Sequence, residues 1–483
     1  MTERESIHGQ WSSRLVFILA ATGSAVGLGN VWKFPYITGE NGGGAFVAVY
    51  LVCIAVVGIP IMMAEVMLGR RGRRSPINTM AALSREEGRS RAWSMIGWGG
   101  VLAGFFILSY YSVIAGWALA YVVRAAIGAF TGIDAAGVGE MFNGLVGVPE
   151  RVLAWHTLFM LMCMFVVAKG VKAGLERAVT YMMPALFLLL LVLVGYAMNS
   201  GSFAQGLEFL FKPDFRKLIY HCEVVAGLQQ CELSGRPLAT ALGHAFFTLS
   251  LGMGAIMVYG SYMPRKASIA GASILIAGLD TLVALLAGMA IFPVVFANGL
   301  EPAAGPGLIF QTLPIAFGAM PGGQLFGTLF FILLVFAAWT SAISLIEPAV
   351  AWLVENRGMT RIRAASWIGV LTWLLGLGTI FSFNVWSGDE FKLFGMTFFD
   401  LLDYLTANLM LPLGGLLIAL FSGWLMKSES SRAEFAMASW SYRAWWMVIR
   451  YISPLVVIMV FVNANLGLLK TLYGYLKSSI GGG

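Results

Sequence analysis

Charge is what this chain has least of. Only 11% of its 483 residues are Asp, Glu, Lys or Arg, where a soluble domain averages about 25%. That shortage excludes an ordinary soluble enzyme and a nucleic-acid-binding domain. Cysteine and histidine are also scarce, at four each. Four cysteines are too few for a disulfide framework, and Cys53 and Cys163 lie in apolar runs where a thiol is a small hydrophobe. No His-x-x-x-His or comparable pair occurs, which argues against an intramembrane enzyme. No P-loop occurs either, so a one-chain ATP-driven pump is not expected. No soluble signalling domain is present, which argues against a sensor. Residues 1–13 are polar and precede a run too long for a signal peptide, so no cleaved leader is expected.

What is present is hydrophobic length. Hydrophobic residues make up 59% of the chain and the mean hydropathy is +0.81. A spanning helix needs about 20 mostly apolar residues. On that basis eleven segments are expected, near 14–38, 43–68, 96–124, 153–169, 174–198, 238–263, 268–297, 325–354, 362–383, 394–425 and 444–473. The stretch 298–324 is apolar but broken by four prolines, and reads as a loop folded back onto the membrane face. Lys and Arg concentrate on one side, led by Arg70, Arg71, Arg73, Arg74, Arg85, Arg89 and Arg91 and continuing to Arg443 and Arg450. The positive-inside rule then places the N-terminus (1–13) in the cytoplasm and the C-terminal tail (474–483) outside. A multi-pass protein of the plasma (inner) membrane is expected.

Two of these segments are broken. Ala25-Val26-Gly27-Leu28-Gly29-Asn30 interrupts the first, and Thr248-Leu249-Ser250-Leu251-Gly252-Met253-Gly254 the sixth. Freed backbone groups find no water in a bilayer, so such breaks are costly unless they line a site. Breaks at matching positions of two halves point to a transporter with its site at the midplane. The halves would be 14–198 and 238–425, inverted because five is odd, with segment 444–473 left over. The freed carbonyls and Asn30 suit a hard cation, and the freed amides suit a carboxylate. Close helix packing is the competing explanation for the glycines. Asp280 lies mid-membrane in the seventh segment, where a carboxylate marks function by default. Thr340, Ser341 and Ser344 offer hydroxyls in the eighth. Lys33, Glu65, His244, Glu347, Asp400 and Asp403 are the other ionisable residues read as buried, with Lys33 and Asp403 able to pair near the outer mouth.

These runs, with Trp32-Lys33-Phe34-Pro35 and Glu40-Asn41-Gly42-Gly43-Gly44-Ala45-Phe46, resemble the neurotransmitter:sodium symporter family over nearly the whole chain. The resemblance implies an all-α, inverted-repeat transporter of the bacterial leucine transporter type, working by alternating access. It implies two sodium sites and no organic cofactor. The first would use the Ala25 carbonyl, Asn30, Thr248 and Asp280, with the substrate carboxylate. The second would use carbonyls of Gly23, Val26 and Ala337 with the hydroxyls of Thr340 and Ser341. The substrate carboxylate would meet amides near Leu28 and Gly29 and the Tyr111 hydroxyl. Its amino group would meet carbonyls of Ala25, Phe247 and Thr248 and the Ser250 hydroxyl. Ser24, Ile107, Tyr111, Phe247, Met253, Ser341, Ala342 and Leu345 would enclose its side chain. Lys33 and Asp403 would form an outer gate, with lysine where arginine is usual. Glu355 would be an inner gate residue, facing His8 where the family has arginine.

Gly27 stands where monoamine carriers place an aspartate, so an α-amino acid is favoured over an amine; another small zwitterion or amine is the alternative. The apolar pocket with a methionine suits a hydrophobic or aromatic side chain. Asp280 replaces an asparagine, and Ala284 replaces the serine that helps hold chloride, so chloride-independent transport is expected. Proton counter-flux through Asp280 or His244 is a further option. The spacing Gly174 to Pro184 matches one that relatives use to unwind the fifth segment, although an ordinary proline kink would explain it too. The outer stretch 216–237, with Cys222 and Cys231, is longer than in relatives and permits a disulfide.

Overall fold

The computed structural model describes residues 6–225, 228–233, 235–302, 307–435 and 437–463. Among these, nine helices are long and apolar enough to cross a membrane: Gly44–Gly72, Arg91–Ala126, Pro149–Ala168, Val171–Met198, Ile269–Ala297, Gly323–Arg357, Arg361–Ser382, Phe398–Leu425 and Ser439–Asn463. A tenth span is the bent pair Arg14–Ala25 and Gly29–Glu40, which turns by 48° at the break. The sixth expected segment appears as Arg236–Thr248 and Ala255–Ser261, two helices each too short to cross alone.

Local chemistry starts and stops these helices. Ser13 caps Arg14–Ala25 by accepting from the Val16 amide, and Ser268 caps Ile269–Ala297 by accepting from the Gly271 amide. Each satisfies an amide that has no partner inside its own helix. Asp400 corrects the sequence reading. It is exposed rather than buried, and closes a capping box with Thr397 at the start of Phe398–Tyr404. Pro184 sits inside the continuous helix Arg177–Met198, and a π-helical turn over Val171–Glu176 precedes it. The described helix is wound at Pro184.

The stretch 298–324 is partly helical, a π turn Leu308–Thr312 running into Leu313–Ala319. Within the long outer stretch, strands β1 (Tyr220–Val225) and β2 (Leu228–Leu233) form an antiparallel hairpin. Its register sets Cys222 opposite Cys231 in the backbone ladder.

The deepest packing is between Arg91–Ala126 and Gly323–Arg357, whose inner faces carry Ile107, Tyr111, Ser341 and Leu345. This pair forms one wall beside the broken helices. At one membrane face the short helix Ser428–Glu434 is held by buried arginines. Arg70 donates to the Glu434 carboxylate at 2.9 Å and to the Ala267 carbonyl at 2.7 Å. Arg71 pairs with Glu86 and lies 3.8 Å from Glu434. Removing one partner of a buried pair costs roughly 3–5 kcal/mol. Glu434→Ala is therefore expected to lower the melting temperature of the detergent-purified protein by several degrees. An unchanged melting curve would mean that this carboxylate holds nothing.

Candidate functional site

The two breaks face each other. Gly252 and Gly254 take φ of +77° and +76°, and Ser250 between the helices takes +55°. These values are left-handed, so glycine lets the chain turn here without a Cβ clash. Glu65 caps the turn, accepting the Gly252 amide at 2.6 Å. On the opposite side the Leu28 amide donates to the Tyr111 hydroxyl at 3.0 Å. The Ser250 hydroxyl crosses between the breaks to the Ser24 carbonyl at 2.7 Å, and Ser24 meets Ser344 at 2.8 Å.

A small cavity of about 20 Å³ lies between them, lined by Ser24, Ala25, Gly27, Gly29, Ile107, Tyr111, Phe247, Ser250, Met253, Ser341 and Leu345. That is room for about one water, so the walls are closed on each other. Ten of these eleven residues were expected there; the addition is Gly27, whose missing side chain is itself a wall. A Cβ at Gly27 would stand 2.5 Å from Ser341 Oγ and 2.7 Å from Tyr111 Oη. Ala342 is buried but does not line the cavity, and Leu28 contributes through its amide.

Beside the cavity, Asp280 is fully buried. Asn30 Nδ2 donates to its carboxylate at 2.8 Å and to its carbonyl at 2.9 Å. Thr248 Oγ1 reaches both carboxylate oxygens at 3.1 Å. Asn30 Oδ1 accepts the Gly27 amide at 3.0 Å, tying this cluster to the break. A second oxygen cluster lies on the other side. Ser341 Oγ donates to the Val26 carbonyl at 2.9 Å and to the Gly23 carbonyl at 3.3 Å. Thr340 Oγ1 reaches the Ala337 carbonyl at 3.1 Å, and its Cβ stands 3.3 Å from where a Cβ on Gly23 would sit. Both clusters gather oxygen acceptors, the donor set hard cations take, although Asn30 presents Nδ2 to Asp280 and Oδ1 to the Gly27 amide. Among the described residues no group of three or more His, Cys, Asp or Glu gathers as a transition metal would need.

Above the cavity Lys33 Nζ lies 3.7 Å from Asp403, with side-chain exposures of 17% and 34%. It also sits 5.0 Å from the centre of the Phe247 ring, so one lysine spans the pair and a cavity wall. At the opposite end His8 Nε2 is 3.1 Å from Glu355 Oε1. Glu355 also accepts from the Ser75 amide (2.7 Å), the Ser75 hydroxyl (2.5 Å) and Asn78 (2.6 Å). The Ser75 and Asn78 contacts are additions that sequence reading did not supply. His244 packs against Phe34 and Tyr50, with no hydrogen-bond partner for either ring nitrogen among the described residues.

A bundle of membrane-spanning helices, broken at its centre around two oxygen clusters, is the architecture of a membrane transporter. The pattern of the Sodium:neurotransmitter symporter family matches residues 8–131 and 140–475. The sodium-dependent transporter YhdH of Bacillus subtilis (strain 168) is 38% identical over 467 residues, covering 96% of this chain and 98% of its own. A sodium-dependent transporter of Haemophilus influenzae is 32% identical over 476 residues, covering 96% and 99%. The crystal structure of MhsT in complex with L-phenylalanine matches with a TM-score of 0.85 and 42% identity, covering 96% of this chain and all of that one. The chain belongs to the sodium:neurotransmitter symporter family and is a multi-pass, sodium-dependent membrane transporter.

Proposed function

We propose that this protein carries a neutral, hydrophobic or aromatic α-amino acid together with sodium, by alternating access between two inverted repeats (14–198 and 238–425). The observation that carries the reading is Gly27, pinned between Tyr111 and Ser341 with no space for a side chain. An acidic residue there would hold an amine; its absence leaves the substrate to bring its own carboxylate. The amides at the start of Gly29–Glu40 and the Tyr111 hydroxyl would receive that carboxylate, with the helix dipole favouring the charge. Carbonyls of Ala25, Phe247 and Thr248 and the Ser250 hydroxyl would take the amino group. The apolar walls of Ile107, Phe247, Met253 and Leu345 would take the side chain. The L-phenylalanine bound to MhsT supports this substrate class.

Asp280, Asn30, Thr248 and the Ala25 carbonyl would hold one sodium ion. Gly23, Val26, Ala337, Thr340 and Ser341 would hold a second. Asp280 supplies a fixed negative charge beside the first, and Ala284, also buried, carries no hydroxyl for an anion. Transport is therefore chloride-independent in this account. Replacing chloride by gluconate should leave uptake unchanged, and a collapse of uptake would overturn that point. The proposed orientation has the N-terminus inside, as the Lys and Arg bias supports.

Lys33 and Asp403 act as the outer gate, and Glu355 with His8 as the inner one. Lys33→Gln loses the charge pair and the contact with Phe247, so bound substrate should leave toward the outside several-fold faster in a dissociation assay. An unchanged off-rate would remove Lys33 from the gate. The substrate class is tested by competition. Unlabelled leucine, tyrosine and tryptophan should displace labelled phenylalanine uptake in proteoliposomes, and phenethylamine should not. Displacement by the amine alone would favour an amine or another zwitterion as the cargo.

A further inference from the structure

Arg450 lies within the membrane-spanning helix Ser439–Asn463, nearly halfway along it and level with the last turn of Phe398–Leu425. It has no part in the proposed transport site. The last turn of Phe398–Leu425 packs directly on it. A Cβ at Gly423 would stand 2.9 Å from the Arg450 Cα, so only glycine allows this approach. Trp424 Nε1 then donates to the Arg450 carbonyl at 2.8 Å. The guanidinium is framed by three rings, its Cζ lying 4.2 Å from the Trp424 centre, 4.4 Å from Trp446 and 5.5 Å from Tyr451.

These rings satisfy the faces of the guanidinium. They do not satisfy its N–H groups, which need acceptors in the guanidinium plane. Among the described residues the buried Arg450 Nε has no hydrogen-bond partner, and no carboxylate pairs with this side chain. Other arginines at this membrane face are paired: Arg70 and Arg71 have Glu434 and Glu86. Arg450 is thus a charge inside a span, set among aromatic rings, with its buried Nε donor unanswered among the described residues. A charge there is costly unless something answers it.

The surroundings say what answers it. Helix side chains lean toward the N-terminal end of their helix, so Arg450 reaches back toward Ser439 and the membrane surface. Trp424 and Tyr451 are half exposed and Trp440 is largely exposed at the same end, which is where aromatic belts meet lipid headgroups. At this end of the span, facing the bilayer, the available acceptor with two adjacent oxygens is a lipid phosphate. Arginine binds phosphate through two parallel N–H donors. We infer that Arg450, Trp424, Trp446 and Tyr451 form a binding site for the phosphate of an anionic lipid. In the proposed orientation that lipid belongs to the cytoplasmic leaflet, which neither sodium nor the amino acid contacts.

The test is native mass spectrometry of the full-length protein in detergent. It is titrated with phosphatidylglycerol, with phosphatidylcholine of the same chains, and with inorganic phosphate. The wild type is expected to retain one phosphatidylglycerol at least tenfold better than phosphatidylcholine. Arg450→Gln should lose that retention. Arg443→Gln, on an exposed arginine seven residues earlier, should keep it. Arg450→Lys, which keeps charge but not the planar fork, should weaken retention several-fold and stay folded by its melting curve. Equal retention by Arg450→Gln and wild type would overturn the site. So would inorganic phosphate displacing the lipid at millimolar concentration, since that would mean a free-anion site.

Discussion

Asp280→Ala is expected to abolish sodium-stimulated uptake, and Asp280→Asn to weaken apparent sodium affinity more than tenfold. The reason is electrostatic. Asp280 is fully buried, and its partners Asn30 and Thr248 are neutral. A sodium ion about 4 Å from it gains roughly 4 kcal/mol at an effective dielectric of 20. Asparagine keeps the shape and one carbonyl oxygen but gives up that charge. A loss of even 1.4 kcal/mol is tenfold in affinity. Alanine additionally strands the Asn30 amide and the Thr248 hydroxyl in the interior, a further cost of about 1–3 kcal/mol each. The sodium dependence of uptake in proteoliposomes measures this, with detergent melting curves to show that the variants fold. Asp280→Asn with an unchanged half-saturating sodium concentration would mean that the cation sits elsewhere.

The second large effect is expected at Gly27. Gly27→Ala should reduce amino-acid uptake more than tenfold, and Gly27→Asp should eliminate it. The added Cβ would stand 2.5 Å from Ser341 Oγ and 2.7 Å from Tyr111 Oη, well inside van der Waals contact. Relief requires moving Tyr111, which holds the Leu28 amide, or Ser341, which holds the Val26 and Gly23 carbonyls. One methyl group therefore disturbs both the proposed carboxylate cradle and the proposed second cation cluster. The variant should bind sodium more weakly as well as substrate. Wild-type uptake by Gly27→Ala would mean that the cavity is not the transport site.

Much of this site was legible in the sequence because breaks in apolar helices are costly and therefore conspicuous. The glycines around residues 25–30 and 248–254 announced the break, and Asp280 was conspicuous as a carboxylate in an apolar run. The pairing of Lys33 with Asp403 followed from placing both near one mouth, whereas that of His8 with Glu355 came only from the family resemblance. Other features left weaker traces. Asp400 was read as buried because the run after it is apolar, yet three residues after Thr397 is where a capping box puts an acid. The hairpin β1–β2 lies in a mixed polar stretch, where strand pairing depends on register more than on composition. The helix Ala135–Val146 was also missed, although Asp134 supplies an N-cap signal by accepting the Gly137 amide. Arg450 shows the converse limit. Counting positive charges assigns it to the cytoplasmic face in the proposed topology, but counting cannot show that its Nε lacks a partner among the described residues.

The central claim is that sodium and an α-amino acid bind together where the two broken helices meet. Proteoliposomes loaded with potassium and diluted into sodium test it most directly. Labelled L-phenylalanine should accumulate transiently above its equilibrium level, and should fall to that level when sodium is on both sides or is replaced by choline. Accumulation that persists without a sodium gradient would contradict the account.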